Sequence, residues 1–216
     1  NIKNKDKFLN YKKIKKEIEN LKKFGIITFS VYARYAFIGK KFLISLKNGK
    51  LIKDQTYLKL INSIDTITTE YIRIKNESKS SIIFKKKFDD YFYHLRPGTY
   101  DINTNRYKEG LKLRKLDDLE RIIRFDDTKS IISNIEKIKI NNFLKKNNFD
   151  FDHKHLLNFC LNAIKLRENS KFIFTRTLSD ILESMRLFSK KRGLNFKKSS
   201  KYFGLSNFLK IKRNFR

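Results

Sequence analysis

Apolar residues in this chain recur at steps of three and four over long stretches and almost never alternate at steps of two, a pattern that a backbone can bury only as helices. Phe8, Tyr11, Ile14, Ile18 and Leu21 form one stripe over residues 7–24, with Gly25 just past the predicted helix end. Residues 29–46 are apolar on all sides, which predicts a central helix stopped by Gly49. Leu58, Ile61, Ile64, Ile67, Tyr71 and Ile74 predict one helix over 55–76, whose threonines lower its propensity slightly. A break at Ser78-Lys79-Ser80-Ser81 precedes a shorter helix over 82–93 carrying Phe84, Phe88 and Phe92. Residues 131–147 read as another helix, and Asp152 reads as the cap of one over 153–166. Ser170 or Thr177 then opens a last long helix that Gly193 ends. The strand-like pieces Ile26-Ile27-Thr28 and Ile82-Ile83-Phe84 are too short to build a sheet. The expected fold is therefore all-α, an irregular bundle of roughly six to eight helices with a Pro/Gly turn between two helical halves. It is read as a single helical domain over 1–216, with 103–130 as an exposed connector of poor periodicity.

Composition adds less than it promises. A formal net charge of +29, from 51 Lys+Arg against 22 Asp+Glu, would ordinarily point to nucleic acid or an anionic membrane. Lysine, isoleucine, asparagine and phenylalanine are abundant while glycine, alanine and proline are scarce, the mix that AT-rich codons produce. Charge acquired that way is scattered over solvated faces, and Lys12, Lys13, Lys15 and Lys16 do wrap around their predicted helix. A basic helical module that binds nucleic acid is thus the second reading, not the first. Cys160 is the only cysteine; flanked by Leu157, Phe159 and Leu161, it reads as a buried small hydrophobe in a reducing compartment. Without a bilayer-length apolar run or a signal-peptide pattern, the chain is expected to be soluble and cytoplasmic, with no membrane partner. Beginning at Asn1 and stopping at Arg216, it is expected to be a piece of a larger multidomain protein.

Polar chemistry concentrates at the single proline. The run Tyr93-His94-Leu95-Arg96-Pro97-Gly98-Thr99-Tyr100-Asp101-Ile102, followed by Arg106-Tyr107, must turn, because Pro97 fixes φ beside a permissive Gly98. His94 and Asp101 offer two uses, as a general acid/base pair or as turn and helix-end caps. Arg34, Arg96, Arg106 and Arg176 stand out against a lysine background, and a planar guanidinium suits either an anion or a buried ion pair. Other chemistry is missing. There is no glycine-rich nucleotide loop, no cysteine–histidine zinc cluster and no visible nucleophile with a base. His153 and His155, beside Asp150 and Asp152, read as residues of a helix start rather than a metal site, since ligands two apart on a helix diverge. No metal site is expected, and the aromatic residues fall mostly at helical core positions.

These motifs resemble those of phosphoenolpyruvate-utilising enzymes related to phosphoenolpyruvate synthase and pyruvate, phosphate dikinase. The Pro97 run with Arg106-Tyr107 is similar to that family's Tyr-Gly-His-Leu-Arg-Pro-Gly-Thr-Tyr-Asp-Ile and Pro-Arg-Tyr signature. Ala33-Arg34-Tyr35-Ala36-Phe37-Ile38-Gly39 is similar to its Ala-Arg-His-Ala-Phe-Ile-Ala helix. Arg167-Glu168-Asn169-Ser170-Lys171-Phe172-Ile173-Phe174-Thr175-Arg176-Thr177-Leu178-Ser179-Asp180 is similar to a third, Arg-Glu-x-x-Lys-Phe-x-Phe-Thr-Arg-x-Leu-Ser-Asp. Tyr35, Tyr93 and Asn105 depart from the pattern, which has histidine, glycine and proline there. The resemblance implies the central helical segment of an ATP-dependent phosphotransferase. In such enzymes an ATP-grasp domain, using ATP and Mg²⁺, phosphorylates a histidine on a separate mobile domain. Those domains, on the same polypeptide, would be the partners, and no cofactor would belong to this segment. Whether it is itself part of an enzyme stays open at this point, but it is not expected to catalyse alone. Carried to matching positions, the resemblance marks Arg34, His94, Arg96, Asp101, Arg106 and Arg176 as anion-binding or domain-docking residues, with catalytic residues unknown.

Overall fold

A computed structural model of the chain describes residues 11–78, 82–96, 103–107, 131–191, 193 and 195. Among them all regular structure is helical, as the apolar periodicity predicts. They fall into two compact units: a first drawn from Asn1–Ile26, Ser78–Arg114 and Ile173–Arg216, and a second drawn from Ile27–Glu77 and Lys115–Phe172. No helix among the described residues is long and apolar enough to cross a membrane.

In the first unit the stripe Ile14, Ile18 and Leu21 is buried, and α1 spans Tyr11–Asn20. The predicted stop at Gly25 does not occur. Residues Leu21–Ile26 form a π-helical stretch, and Gly25 serves close packing instead. A Cβ there would lie 2.9 Å from Leu21 Cδ1 and 3.1 Å from Phe174 Cβ.

Helix α2, Ile27–Asn48, buries only Ala36, Gly39, Leu43 and Leu46, a single stripe rather than its whole circumference. The helix predicted over 55–76 is two helices, α3 (Asp54–Asn62) and α4 (Ile67–Ser78). The break between them lies where hydroxyls compete with the helix ladder. Ser63 Oγ donates to Leu60 O at 2.8 Å, Thr69 Oγ1 accepts from Thr66 N at 3.1 Å, and Thr66 Oγ1 accepts from Thr69 N at 3.4 Å. Helix α5 is Ile82–Phe92.

Helix α6, Asn134–Lys146, starts later than its apolar run because Ser133 and Glu136 form a capping box. Glu136 also reaches α3, accepting from Lys53 N at 2.9 Å and Thr56 Oγ1 at 2.8 Å. Burial pushes its carboxyl up, but these bonds and those from Ser133 outweigh burial and hold it down at about 2. The core of the second unit gathers Leu43, Leu46, Ile52, Leu60, Ile131, Ile140, Leu144, Leu156, Leu157 and Cys160. Cys160 is fully buried, and burial raises its thiol to about 12, so it behaves as the small hydrophobe the sequence suggests.

The two helices predicted after Asp152 are one, α7 (His153–Lys191). Asp152 does cap it, Oδ1 accepting from His155 N at 3.0 Å. Ser170 starts nothing: its Oγ donates back to Arg167 O at 3.0 Å inside the helix. Gly193, at φ +70°, closes the end as predicted.

Candidate functional site

Two segments distant in sequence meet in the first unit. After α5 the chain turns, Leu95 N donating to Phe92 O at 3.0 Å, and Tyr107 N then donates to Leu95 O at 2.9 Å. These backbone bonds hold 93–96 beside 103–107. The later part of α7 supplies Thr175, Arg176, Ser179 and Asp180, whose spacings of three and four residues place them on one helix face.

Ser179 is the central contact. Its Oγ donates to His94 O at 2.7 Å and accepts from Arg96 Nη2 at 3.1 Å. Arg96 is buried, and it also donates from Nη2 to Ser179 O at 3.4 Å and from Nη1 to Thr104 O at 3.2 Å. Its guanidinium is therefore a brace between chain segments. Asp180 is shared at both oxygens: Tyr93 Oη donates to Oδ2 at 2.9 Å, and Arg106 Nη1 pairs with Oδ1 at 3.0 Å. Arg176 donates from Nη2 to Tyr91 O at 3.3 Å, and its guanidinium lies 5.7 Å and 5.6 Å from the Tyr91 and Tyr93 ring centroids. Arg106 lies 5.8 Å from the Tyr93 ring, and the Tyr93 and His94 rings meet edge to face at 5.6 Å.

Electrostatics follows from this packing. His94 is 2% exposed, and burial, then the Arg176 and Arg106 charges, lower its imidazole to about 4 against a weak opposing bond to Tyr91. It is neutral at neutral pH, and well below the range that suits a general base. Burial, then the hydrogen bond and charge of Asp180, raise the Tyr93 phenol to about 12, so it remains a donor. Burial raises the Asp180 carboxyl despite Tyr93, Arg106, Arg176 and Arg96 around it. Asp180 also borders a cavity of about 260 Å³ lined by Lys13, Ile14, Glu17, Thr177, Ile181 and Ser184. With Ser179 Oγ spent on a carbonyl, the arrangement offers fixed charge and rigid placement, not a nucleophile.

Of the residues marked by the sequence, His94, Arg96, Arg106 and Arg176 are brought together here. Arg34 belongs to the second unit, where it is exposed. Asp101, Pro97, Gly98 and most of the connector over 103–130 lie outside the described residues. The choice between anion recognition and ion pairing falls, for Arg106, on the ion pair with Asp180. His153 bonds Asn141 Oδ1 through N at 2.8 Å and Nδ1 at 3.1 Å, while His155 Nδ1 lies 2.7 Å from Asp152. Among the described residues no three potential metal ligands cluster.

Tyr93, Ser179 and Asp180 were not marked. Tyr93 stands where the resembled pattern has glycine, yet its phenol is part of the constellation. Ser179 and Asp180 carried a signal in their spacing of three and four from Arg176, which puts all of them on one helix face. Compared with protein families, curated proteins and solved structures, the chain matches none.

Proposed function

We propose that this chain is a helical positioning segment of an ATP-dependent phosphotransferase of the phosphoenolpyruvate synthase kind, holding other modules in place and making no bonds itself. One observation carries the reading: the bend motif and the α7 motif, each of which resembles that family, bond directly to one another through Ser179–His94, Ser179–Arg96 and Asp180–Arg106. Side chains from two separate signatures thus serve one rigid corner, as a docking or hinge element requires. Among the described residues of that corner Ser179 Oγ is bonded to a carbonyl, which fits a structural role, with ATP and Mg²⁺ handled by other modules.

The test compares the 216-residue chain with a longer polypeptide that includes its genomic flanks. The chain alone is expected neither to bind ATP measurably by calorimetry nor to hydrolyse it. The longer polypeptide is expected to form an acid-labile phosphohistidine from [γ- or β-³²P]ATP. ATP turnover by the chain alone would overturn the proposal. The net charge of +29 favours a second reading, a basic nucleic-acid-binding module. It predicts DNA or RNA affinity falling linearly in log–log form with salt, with no phosphohistidine in the longer polypeptide.

A further inference from the structure

The second unit contains a cavity of about 530 Å³ that the constellation around Asp180 does not involve. Parts of α2, α3, the connector after α3 and α7 build it. A close helix contact lies beside it. A Cβ on Gly39 would lie 2.9 Å from Cys160 Cα and 3.1 Å from Cys160 O, so α2 and α7 are in close backbone contact at this point. Lys40 follows that crossing at once on α2, and Ile164 and Arg167 come about one and two turns after it on α7. The α2–α7 contact thus places Lys40, Ile164 and Arg167 along one wall of the cavity.

The lining has two chemistries. Ile61, Ile64 and Ile164 offer apolar surface, whereas Lys40 and Arg167 bring two cations against the single carboxylate of Glu168. That carboxylate is already engaged, accepting from Arg167 Nη1. It orients the guanidinium and leaves other N–H groups of Arg167 for a ligand. Lys40 is exposed and forms no ion pair among the described residues. The volume lies within the range of about 300–1,000 Å³ typical of small-molecule sites.

We propose that this cavity binds a small organic anion, a carboxylate or phosphate ester with an apolar body. Lys40 and Arg167 meet the charge, and the three isoleucines take the body. A cation would face two like charges, a neutral apolar molecule would leave both cations unanswered, and inorganic phosphate would leave the apolar wall wet. The inference does not depend on the phosphotransferase reading.

Titrating the full 216-residue chain, ¹⁵N-labelled, with phenyl phosphate and with benzoate tests it, using benzyl alcohol and inorganic phosphate as controls. The expected result is saturable amide shifts confined to 36–40, 57–66 and 164–168. Both controls should bind about tenfold more weakly or not at all, and Lys40→Gln should weaken phenyl phosphate by about tenfold. Lys40 is exposed, so its replacement leaves folding intact; Arg167→Gln should act in the same direction. Shifts spread evenly over the lysine-rich surface, equal binding of inorganic phosphate, or an unchanged affinity in Lys40→Gln would each overturn the proposal.

Discussion

Glu136 in the second unit is buried while Asp180 in the first keeps 32% of its side chain exposed, and their carboxyls respond in opposite directions. Glu136 accepts from two backbone N–H groups and two hydroxyls, none of them charged, and is held at about 2. Asp180 has a guanidinium and a phenol on it, with further arginines nearby, yet its carboxyl is raised. At Glu136 the hydrogen bonds outweigh burial, whereas at Asp180 burial outweighs the phenol and the arginines around it. Glu136 ties α3 to α6 as part of a folded core. Asp180 sits at a corner where positive charge exceeds negative, and burial has left its neighbour His94 unable to add a proton at neutral pH.

Acidification should separate the two units most widely. His94 is depressed from 6.5 to about 4, so the stability it contributes is complete above pH 6.5 and is lost as pH falls through 4. Glu136 is depressed from 4.5 to about 2, so its contribution is complete above pH 4.5 and is lost as pH falls toward 2. Asp180, raised, works the other way and gives back part of the first unit's loss on acidification. Hydrogen exchange should therefore show amides of 82–96 and 175–189 losing protection before those of 54–62 and 134–146. The reverse order would break the comparison, and His94→Gln should flatten the loss between pH 6.5 and about 4.

Among substitutions, Glu136→Ala should cost most, about 3 kcal/mol, because it removes a capping box and leaves the Thr56 hydroxyl and Lys53 N–H without their acceptor. Asp180→Ala should cost about 1 kcal/mol, since its side chain is 32% exposed and water can replace part of what is lost. Urea unfolding followed by amide exchange in each unit would measure both. Equal costs would remove the distinction between dipole-held and cation-held carboxylates. Gly39→Ala comes between, at about 2 kcal/mol, because the neighbour its Cβ would strike is backbone and cannot swing aside.

Much of this architecture was legible in the sequence, and the failures share a cause. The stripe Ile14-Ile18-Leu21 announced a helix, while Asp152 and Gly193 marked a start and a stop correctly. What periodicity could not convey was how a single polar or small residue would be used. Gly25 looks like a stop but serves close approach inside a helical stretch, and Gly39, inside a predicted helix, is used the same way. Ser63, Thr66 and Thr69 look tolerable within a helix, yet the break falls where Ser63 bonds back to Leu60 O and Thr66 and Thr69 bond each other. Ser170 looks like a cap and bonds backwards instead. Glu136 left no mark in the apolar periodicity, though Ser133 three residues earlier was the sign of a capping box. At the corner, arginine against a lysine background picked out Arg96, Arg106 and Arg176. Tyr93 was noted only as a departure from the resembled pattern, and its bond to Asp180 exists only once residues 87 apart have been folded together.

Helix ends give the smallest and cleanest contrast between what the letters suggest and what the backbone requires. α2 and α6 close with the same motif: Leu51 N donates to Leu46 O and Lys50 N to Lys47 O, just as Phe149 N donates to Leu144 O and Asn148 N to Lys145 O. The residue that must turn left-handed is Lys50 in the first case, at φ 56°, and Asn148 in the second, at φ 58°. Asparagine tolerates that region, whereas a lysine Cβ crowds the following carbonyl. The glycine read as the stop of α2 sits one place too early to relieve this. Lys50→Gly should therefore stabilise the second unit by about 0.5–1 kcal/mol, the relief of the left-handed penalty less the entropy that glycine brings to the unfolded chain. Asn148→Gly should change stability by only about 0.3 kcal/mol, because asparagine already pays little there. Urea midpoints of the two variants decide it, and a destabilised Lys50→Gly would mean that the lysine side chain contributes packing which its exposure conceals.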